Sequence, residues 1–176
     1  MKEDGMTLVE LLIVVSVIAI LVVALGFYYQ GWVGRYNMET AVKGMYSDLR
    51  NAQARAIQQN ATYLVDFPGA MTYRVAVDTN GNGAIDAGEV LPGFPATGKN
   101  VGYTINGGVL ITFDQKGLIY TGGPPPTLIV PTAPVGIYLT SGANPIDADY
   151  DCVSLAPTKL YIGKWGTPTP AVCNAK

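Results

Sequence analysis

Histidine is absent from this chain of 176 residues, and charged residues make up only 14% of it. Histidine is the usual general base near neutral pH and the commonest zinc ligand, so its absence excludes Ser-His-Asp and Cys-His catalysis within this chain. The sequence also lacks a phosphate-binding loop and a nucleophile paired with a base. We therefore predict that the protein is not an enzyme.

Net charge is also close to zero, at −2 at pH 7. Nucleic-acid binding draws most of its affinity from basic residues that neutralise phosphates, and a nearly neutral chain offers little of this attraction. Nucleic acid is therefore not expected as a partner. The charged share is below the roughly 25% of an ordinary soluble domain because apolar residues are concentrated in the N-terminal segment.

Cysteine is scarce as well, with only Cys152 and Cys173 near the C-terminus. A single pair in an exported protein favours one disulfide, and two unrelated free thiols are the alternative. We favour the disulfide because the N-terminal features described next place the domain outside the cytoplasm. Closing a loop of this size stabilises a fold by about 3 kcal/mol in the chain-entropy treatment.

In contrast to these scarce residue types, the chain contains one long apolar segment near its N-terminus. Residues 6–29 contain no lysine, arginine or proline, and Glu10 is their only charged residue. As a helix the segment is about 36 Å long, enough to cross the apolar core of a bilayer. It begins close to the N-terminus and is not followed by the small-residue cleavage site of a secretory signal peptide. A plain membrane anchor is one interpretation of this segment.

Glu10 is the unusual residue of the segment. A carboxylate among apolar side chains in a membrane is costly unless it has a partner, and such residues are functional candidates. No basic residue lies within one or two helical turns of Glu10. We therefore expect its partner to come from another molecule or from a new N-terminus.

The start of the chain resembles the type III signal of type IV prepilins and pseudopilins. That signal has a short leader ending in glycine, then a hydrophobic residue, threonine, leucine, any residue and glutamate, followed by a long apolar run. The residues that carry the resemblance are Gly5, Met6, Thr7, Leu8, Val9 and Glu10. The resemblance implies that prepilin peptidase, an integral-membrane aspartyl protease, cuts after Gly5 and that Met6 becomes a methylated N-terminal residue. It also implies that Glu10 neutralises the N-terminal amine of a neighbouring subunit during assembly.

The helical pattern continues past the apolar segment as far as Asn60. Apolar residues recur there at spacings of three and four, and the first proline is Pro68, so one helix of about 50 residues from Thr7 is predicted. Each glycine weakens a helix by about 1 kcal/mol relative to alanine. We therefore predict that any local unwinding of the helix falls between Gly26 and Gly34.

The second half of this helix resembles a narrower group, the GspH/FimT pseudopilins. These carry a stretch of the form L-x-x-A-x-x-x-A-I with an arginine between the alanines, followed directly by a strand. The matching residues here are Leu49, Ala52, Arg55, Ala56 and Ile57. Together with the N-terminal signal, the resemblance covers about the first 70 residues.

The sequence becomes β-like after Asn60, with short runs of valine, isoleucine, tyrosine and threonine between glycine, proline and asparagine. The clearest hairpin joins 109–113 to 117–121. Strands are predicted near 61–67, 72–77, 101–105, 109–113, 117–121, 136–140, 151–155 and 159–163.

The fold class predicted is α+β: a pilin-like fold in which a long N-terminal hydrophobic α-helix packs on an antiparallel β-sheet domain. Residues 1–5 are predicted to be a leader peptide. Residues 6–60 form the helix, with 6–29 as its transmembrane part and later its filament core. Residues 61–176 form the globular β domain.

One loop carries a metal-binding pattern. It fits the calcium-loop sequence D-x-[DN]-x-[DN]-G-x5-E at every defined position. The candidate ligands are Asp78, Asn80, Asn82, Ala84 through its carbonyl, Asp86 and Glu89. Aspartate, asparagine and glycine also build ordinary turns, and a strand rather than a helix precedes the loop, so a metal-free hairpin is the alternative. Calcium is the only cofactor predicted.

The resemblance implies a structural role: a minor pilin or pseudopilin of a type IV pilus or of a type II secretion pseudopilus, matured by prepilin peptidase. The alternatives are a major pilin and a pilus-tip subunit that binds DNA for uptake. Other pilin or pseudopilin subunits are the expected partners, in a homo- or hetero-oligomeric filament. The expected location is the inner membrane as a single-pass protein before assembly, and a periplasmic or extracellular filament afterwards.

Overall fold

A computed structural model describes residues 6–130, 135–141, 146–166 and 172–176, and it describes side chains at these positions except 24–30 and 172. One helix precedes a set of short strands. The helix is α1 (Leu8–Gln59). The strands are β1 (Thr62–Gly69), β2 (Thr72–Asp78), β3 (Lys99–Asn100), β4 (Thr104–Asn106), β5 (Ile111–Phe113), β6 (Ile119–Thr121), β7 (Thr127–Leu128), β8 (Val135–Thr140), β9 (Cys152–Leu155), β10 (Leu160–Gly166) and β11 (Val172–Ala175).

Helix α1 is 52 residues long and continuous. Any local unwinding was predicted to fall between Gly26 and Gly34, and the helix has no break there. Glycine lowers helix propensity but keeps its backbone N–H, whereas proline removes that donor and clashes with the preceding turn. The helix ends at Asn60, whose left-handed backbone (φ 50°) and N–H to the Ala56 carbonyl form a C-terminal cap.

The two halves of α1 have different surroundings. Its apolar side chains up to Val23 are exposed, with values such as 79% for Leu8 and 62% for Val23. From position 38 onward one stripe of the helix is buried, and its members recur at spacings of three and four. The buried residues of this stripe are Met38, Val42, Met45, Leu49, Ala52 and Ala56.

Two antiparallel sheets pack with the second half of α1. We name them sheet A, with strand order β3-β2-β1-β5-β6-β7, and sheet B, with order β11-β10-β9-β8-β4. The main core cluster combines the helix stripe with residues of both sheets, such as Phe113 from sheet A and Val153 from sheet B. The predicted α+β class, with a long helix on antiparallel sheet, is confirmed.

All eight predicted strands overlap an observed strand, and the hairpin of β5 and β6 is present with Thr112 opposite Tyr120. Strands β3, β7 and β11 were not predicted. They contain only two to four residues each, which is too short for an alternating pattern to show. Strand β3 pairs with β2 across a long connection, and β7 and β11 pair with the strands that directly precede them, β6 and β10.

Gln53 connects the helix to both sheets. Its buried amide nitrogen donates to the carbonyl of Gly117, at 2.8 Å, and to the carbonyl of Thr158, at 3.1 Å. Gly117 lies in the turn between β5 and β6, and Thr158 lies in the turn between β9 and β10. One side chain therefore holds a turn of each sheet against α1.

The predicted disulfide between Cys152 and Cys173 is confirmed, and its Cα atoms are 5.9 Å apart. It joins β9 to β11. Strand β11 lies so close to its neighbour β10 in sheet B that a Cβ on Gly163 of β10 would be 1.9 Å from the Asn174 carbonyl oxygen. Glycine at 163 is therefore required for this approach.

Within the residues that the structure describes, no helix is long and apolar enough to cross a membrane. The transmembrane role predicted for 6–29 is not confirmed by the structure.

Candidate functional site

The N-terminal end of α1 is closed by Thr7 and Glu10. The Thr7 hydroxyl oxygen accepts the Glu10 N–H at 3.3 Å, and a Glu10 carboxylate oxygen accepts the Thr7 N–H at 3.5 Å. This is a capping box, in which two helix-end donors are satisfied reciprocally. Both distances are long for such bonds, so the carboxylate is held loosely.

The capping box is a role for Glu10 that the sequence analysis missed. A threonine followed three residues later by glutamate, just before an apolar run, is its sequence signature. Glu10 was expected to lack any partner in its own chain, and in the structure its contact is with Thr7. The carboxylate consequently points back toward Met6, the residue predicted to become the N-terminus.

Met6 is 64% exposed, and Gly5, the residue predicted to precede the cut, lies outside the described residues. The surface that follows Met6 is a continuous set of exposed leucine, isoleucine and valine side chains. Exposed apolar patches of this kind mark contact with other proteins or with a membrane. The first half of α1 is therefore an interaction surface.

Among the described residues, the globular domain contacts the helix at Gly34. Ile146 lies over this glycine, since a Cβ at Gly34 would be 3.5 Å from the Ile146 Cδ1 atom. Further along the helix, a carboxylate oxygen of Glu39 accepts the N–H of Asp149 at 3.2 Å. The Nζ atom of Lys43 lies 5.0 Å from the centre of the Tyr150 ring. The segment 146–151 therefore packs against α1 between Gly34 and Lys43.

The second candidate site is the loop of residues 78–89, which follows β2. Asp78 accepts the N–H groups of Gly81 and Gly83 at 2.7 and 3.0 Å. Gly83 has φ of +71°, a conformation that favours glycine and makes the sharp turn that the pattern requires. The first part of the loop is therefore closed around the Asp78 carboxylate.

Glu89 closes the other end of the loop. It is only 5% exposed, and its carboxylate accepts the hydroxyl and the N–H of Thr79 and the N–H of Asp86. The hydrogen bond from the Thr79 hydroxyl, followed by those from the backbone N–H groups, lowers the pKa of Glu89. Because the folded state has the lower pKa, Glu89 stabilises the fold at neutral pH, and this contribution is lost as the pH falls toward that pKa.

The middle of the loop is held by Asp86. Its carboxylate oxygen accepts the side-chain amides of Asn80 and Asn82, both at 2.7 Å. The amide oxygens of these asparagines accept backbone N–H groups of Asn82 and Ala84. The structure thus brings the side chains of the predicted ligands into one hydrogen-bonded loop.

This loop keeps its shape through its own hydrogen bonds. Across the part of the chain that the structure describes, no group of three or more Asp, Glu, Cys or His side chains is arranged to hold a metal ion. The donor set is nonetheless all oxygen, as calcium prefers, and each carboxylate oxygen that accepts one N–H keeps a further lone pair. Calcium binding at the loop stays a prediction.

Comparison with known protein families gives two matches. The family model of the type II transport protein GspH matches residues 41–155, which run from the packed half of α1 to β9. The model of the prokaryotic N-terminal methylation motif matches residues 1–26, which include Glu10 and most of the apolar segment. A search of curated proteins and a search of solved structures returned no match.

Proposed function

The chain belongs to the family of the type II transport protein GspH, and from this premise we propose that it is stored in the inner membrane, cut after Gly5 and packed into an extracytoplasmic filament. Family and methylation motif together make it a pseudopilin or minor pilin subunit of a type II secretion or type IV pilus system. The family is structural rather than catalytic. Membership implies processing by prepilin peptidase and assembly with other pilin or pseudopilin subunits.

The observation that carries the proposal is the division of α1. The helix is apolar and exposed up to Val23 but amphipathic and packed from Met38 onward. Apolar side chains on the first half need cover from lipid before assembly and from neighbouring helices after it. The methylation motif implies that the N-terminal helix anchors the protein in the membrane. We propose that the same surface forms the filament core, with the β domain facing outward.

Glu10 is proposed to neutralise the amine of Met6 in a neighbouring subunit. The carboxylate lies at the exposed start of the helix and is held only loosely by Thr7, so it is able to change partner. In an apolar filament core an unpaired carboxylate and an unpaired amine would each be costly. Pairing them between subunits satisfies both charges and sets the axial stagger of the helices.

A DNA-binding role at a pilus tip has no supporting observation. Two lysines near the C-terminus, Lys164 and Lys176, form ion pairs with Asp147 and Asp149. Such paired lysines offer little charge to phosphates. We therefore propose the structural role alone, as a minor rather than a major subunit, in keeping with the GspH match.

The proposal is tested by the mass of the N-terminal peptide, measured on protein from sheared filaments and from membranes. We expect the filament form to begin at Met6 and to carry a methyl group on its amine. A Gly5→Leu variant should remain full length and stay in the membrane fraction, because the cleavage glycine is gone. Filament protein that still carries residues 1–5, or that begins after the apolar segment, would overturn the proposal.

We further propose that the 78–89 loop binds calcium, with weak affinity of about 10⁻⁴–10⁻³ M. A tenfold excess of calcium over its dissociation constant should stabilise the fold by about 1.4 kcal/mol, which raises the melting temperature by about 3–5 °C. The measurement is thermal unfolding in EGTA and in calcium. Glu89→Gln should abolish the rise, whereas Asp149→Asn, outside the loop, should preserve it. An equal rise in wild type and Glu89→Gln would place the ion elsewhere, and no rise would exclude this site.

A further inference from the structure

Sheet A has a second face, turned away from α1. Side chains alternate along a strand, so Tyr63 and Val65 of β1 enter the main core while Leu64 between them points to the opposite face. Leu64 is fully buried, so this face is covered as well. The residues paired with Leu64 on the neighbouring strands form a row across this face of the sheet. The row consists of Ala76, Leu64, Thr112 and Tyr120.

The neighbouring row brings two carboxylates to the same face. Asp78 is the Cα partner of Thr62 across β2 and β1. Asp114 follows Phe113, whose partner is Tyr63, so Asp114 lies beside Thr62 on its other side. Asp78 and Asp114, which are 36 positions apart in the sequence, therefore lie on either side of Thr62.

Two loops rise over these rows and enclose a cleft of about 270 Å³. One wall is the tip of the 78–89 loop, and the other is the proline-rich connection between β6 and β7. The walls meet where Gly83 faces Pro124, since a Cβ on that glycine would lie 3.4 Å from the proline side chain. The residues lining the cleft are Thr62, Asp78, Gly81, Asn82, Gly83, Thr112, Asp114, Tyr120, Gly122, Pro124 and Pro126.

Thr112 shows that the cleft has an unused polar group. This residue is only 6% exposed, and it lines the cleft. Its hydroxyl forms no hydrogen bond with the described residues. Among the described residues, the Thr72 oxygen is the one fully enclosed without a partner, so the Thr112 oxygen is open to the cleft that it lines. A ligand in the cleft would satisfy this hydroxyl.

The cleft is also negatively charged. Asp78 accepts only backbone N–H groups of its loop, and Asp114 accepts the N–H groups of Lys116 and Leu118 and the hydroxyl of Tyr120. The ion pairs found among the described residues use other carboxylates. These are Glu39, Asp48, Asp66, Asp147 and Asp149. Within the described part of the chain, neither cleft carboxylate forms an ion pair.

We propose that this cleft binds a cationic side chain, the guanidinium of an arginine or the ammonium of a lysine, presented by a partner protein. The carboxylates of Asp78 and Asp114 would take its charge-assisted hydrogen bonds, and the Thr112 hydroxyl would orient toward it. The Tyr120 ring and the prolines would cover its apolar stem and support a cation–π contact. The volume suits one long side chain, since it is below the roughly 300–1,000 Å³ of typical small-molecule sites.

The position of the cleft leaves it accessible. It lies on the face of sheet A opposite the helix, so α1 of the same chain does not cover it. The inference rests on the geometry of the cleft and does not depend on the filament proposal, whereas calcium bound at Asp78 would compete with the cationic side chain. A failure of the cleft proposal or of the filament proposal would leave the other standing.

The test is a titration of the full chain, ¹⁵N-labelled in detergent micelles with EGTA present, followed by amide NMR spectra. The probe is N-acetyl-arginine amide, and the matched control is N-acetyl-citrulline amide, which has nearly the same shape but no charge. We expect saturable shifts at residues 112, 114 and 120 with a dissociation constant in the millimolar range, about 10⁻³–10⁻² M. The citrulline probe should cause none.

Two variants make the assignment specific. Asp114→Asn keeps an oxygen for the turn N–H groups but removes the charge, and Thr112→Val keeps the shape but removes the hydroxyl. Each should weaken binding of the arginine probe by about tenfold, as expected for a hydrogen bond to a charged group. Asp149→Asn, a carboxylate outside the cleft, should bind the probe like wild type. Dispersed spectra confirm that each variant is folded.

Several results of the titration would contradict the proposal. Equal shifts with the citrulline probe would show that charge does not decide binding and would overturn the proposal. So would the absence of saturable shifts, or full binding by both cleft variants. If calcium chloride shifts these resonances while the arginine probe does not, the cleft belongs to the metal rather than to a side chain.

Discussion

Replacing Glu10 by alanine should leave cleavage after Gly5 intact and remove the subunit from filaments. Cleavage acts on the leader, whereas the carboxylate is proposed to act later, when it meets the amine of Met6 in a neighbouring subunit. Removing one partner of a buried ion pair costs about 3–5 kcal/mol, equivalent to at least a hundredfold at equilibrium. The measurement is the ratio of filament to membrane protein, together with the mass of the N-terminal peptide.

The capping box makes a second variant necessary. Alanine at position 10 removes both the charge and the contact with Thr7, so a weaker helix start could by itself impair assembly. Glu10→Gln keeps an oxygen that accepts the Thr7 N–H but carries no charge. We expect glutamine to be as defective as alanine. Normal filament levels with glutamine would show that the helix cap, and not an intersubunit ion pair, is what Glu10 contributes.

Removing the disulfide should lower the free energy of unfolding by about 3 kcal/mol and the melting temperature by about 6–12 °C. The reason is that the unfolded chain gains freedom when the loop between Cys152 and Cys173 is opened. Both residues are replaced by alanine, because Cys152 is fully buried and serine would bury an unpartnered hydroxyl. Chemical or thermal unfolding of the double variant measures the loss.

The surroundings of the bond supply a local signal and a control. The Trp165 ring stacks on Tyr138 at a centroid distance of 4.0 Å and packs over Gly136, next to Cys173. When the disulfide is removed, the fluorescence change of Trp165 on unfolding should therefore occur at a lower denaturant concentration than in wild type. A reductant should reproduce the loss in wild type and have no effect on the double alanine variant. A reduced wild-type protein that unfolds at the unchanged midpoint would contradict the prediction.

Features that depend on neighbours in sequence could be predicted from the sequence. The long helix follows from its period of three to four and from the absence of proline before Pro68. The β5–β6 hairpin follows from two apolar runs around a short polar turn. With only two cysteines available, Cys152 and Cys173 had no other intramolecular partner. The turn at Gly83 likewise follows from a pattern that needs a left-handed residue.

Other local features of the helix were not fully predicted from the sequence. The Thr7–Glu10 cap was not predicted, although a threonine followed three residues later by glutamate is its sequence signature. Any local unwinding of the helix was predicted to fall between Gly26 and Gly34, and the helix is continuous there. Each glycine lowers helix propensity by about 1 kcal/mol, but the helix hydrogen bonds continue on either side.

Contacts between distant segments were decided only by the tertiary structure. Gln53 looks like an ordinary helix-surface residue, and its role appears only when turns 64 and 105 positions away present their carbonyls to it. Thr112, Asp114 and Asp78 form one cleft because strand order places β5 beside β1 and β1 beside β2. Hydrophobic period identifies strands but not their neighbours, since pairing depends on how each face is buried. The sequence by itself thus determined the helix, its apolar half and its motif, whereas packing of the two sheets decided which polar groups meet.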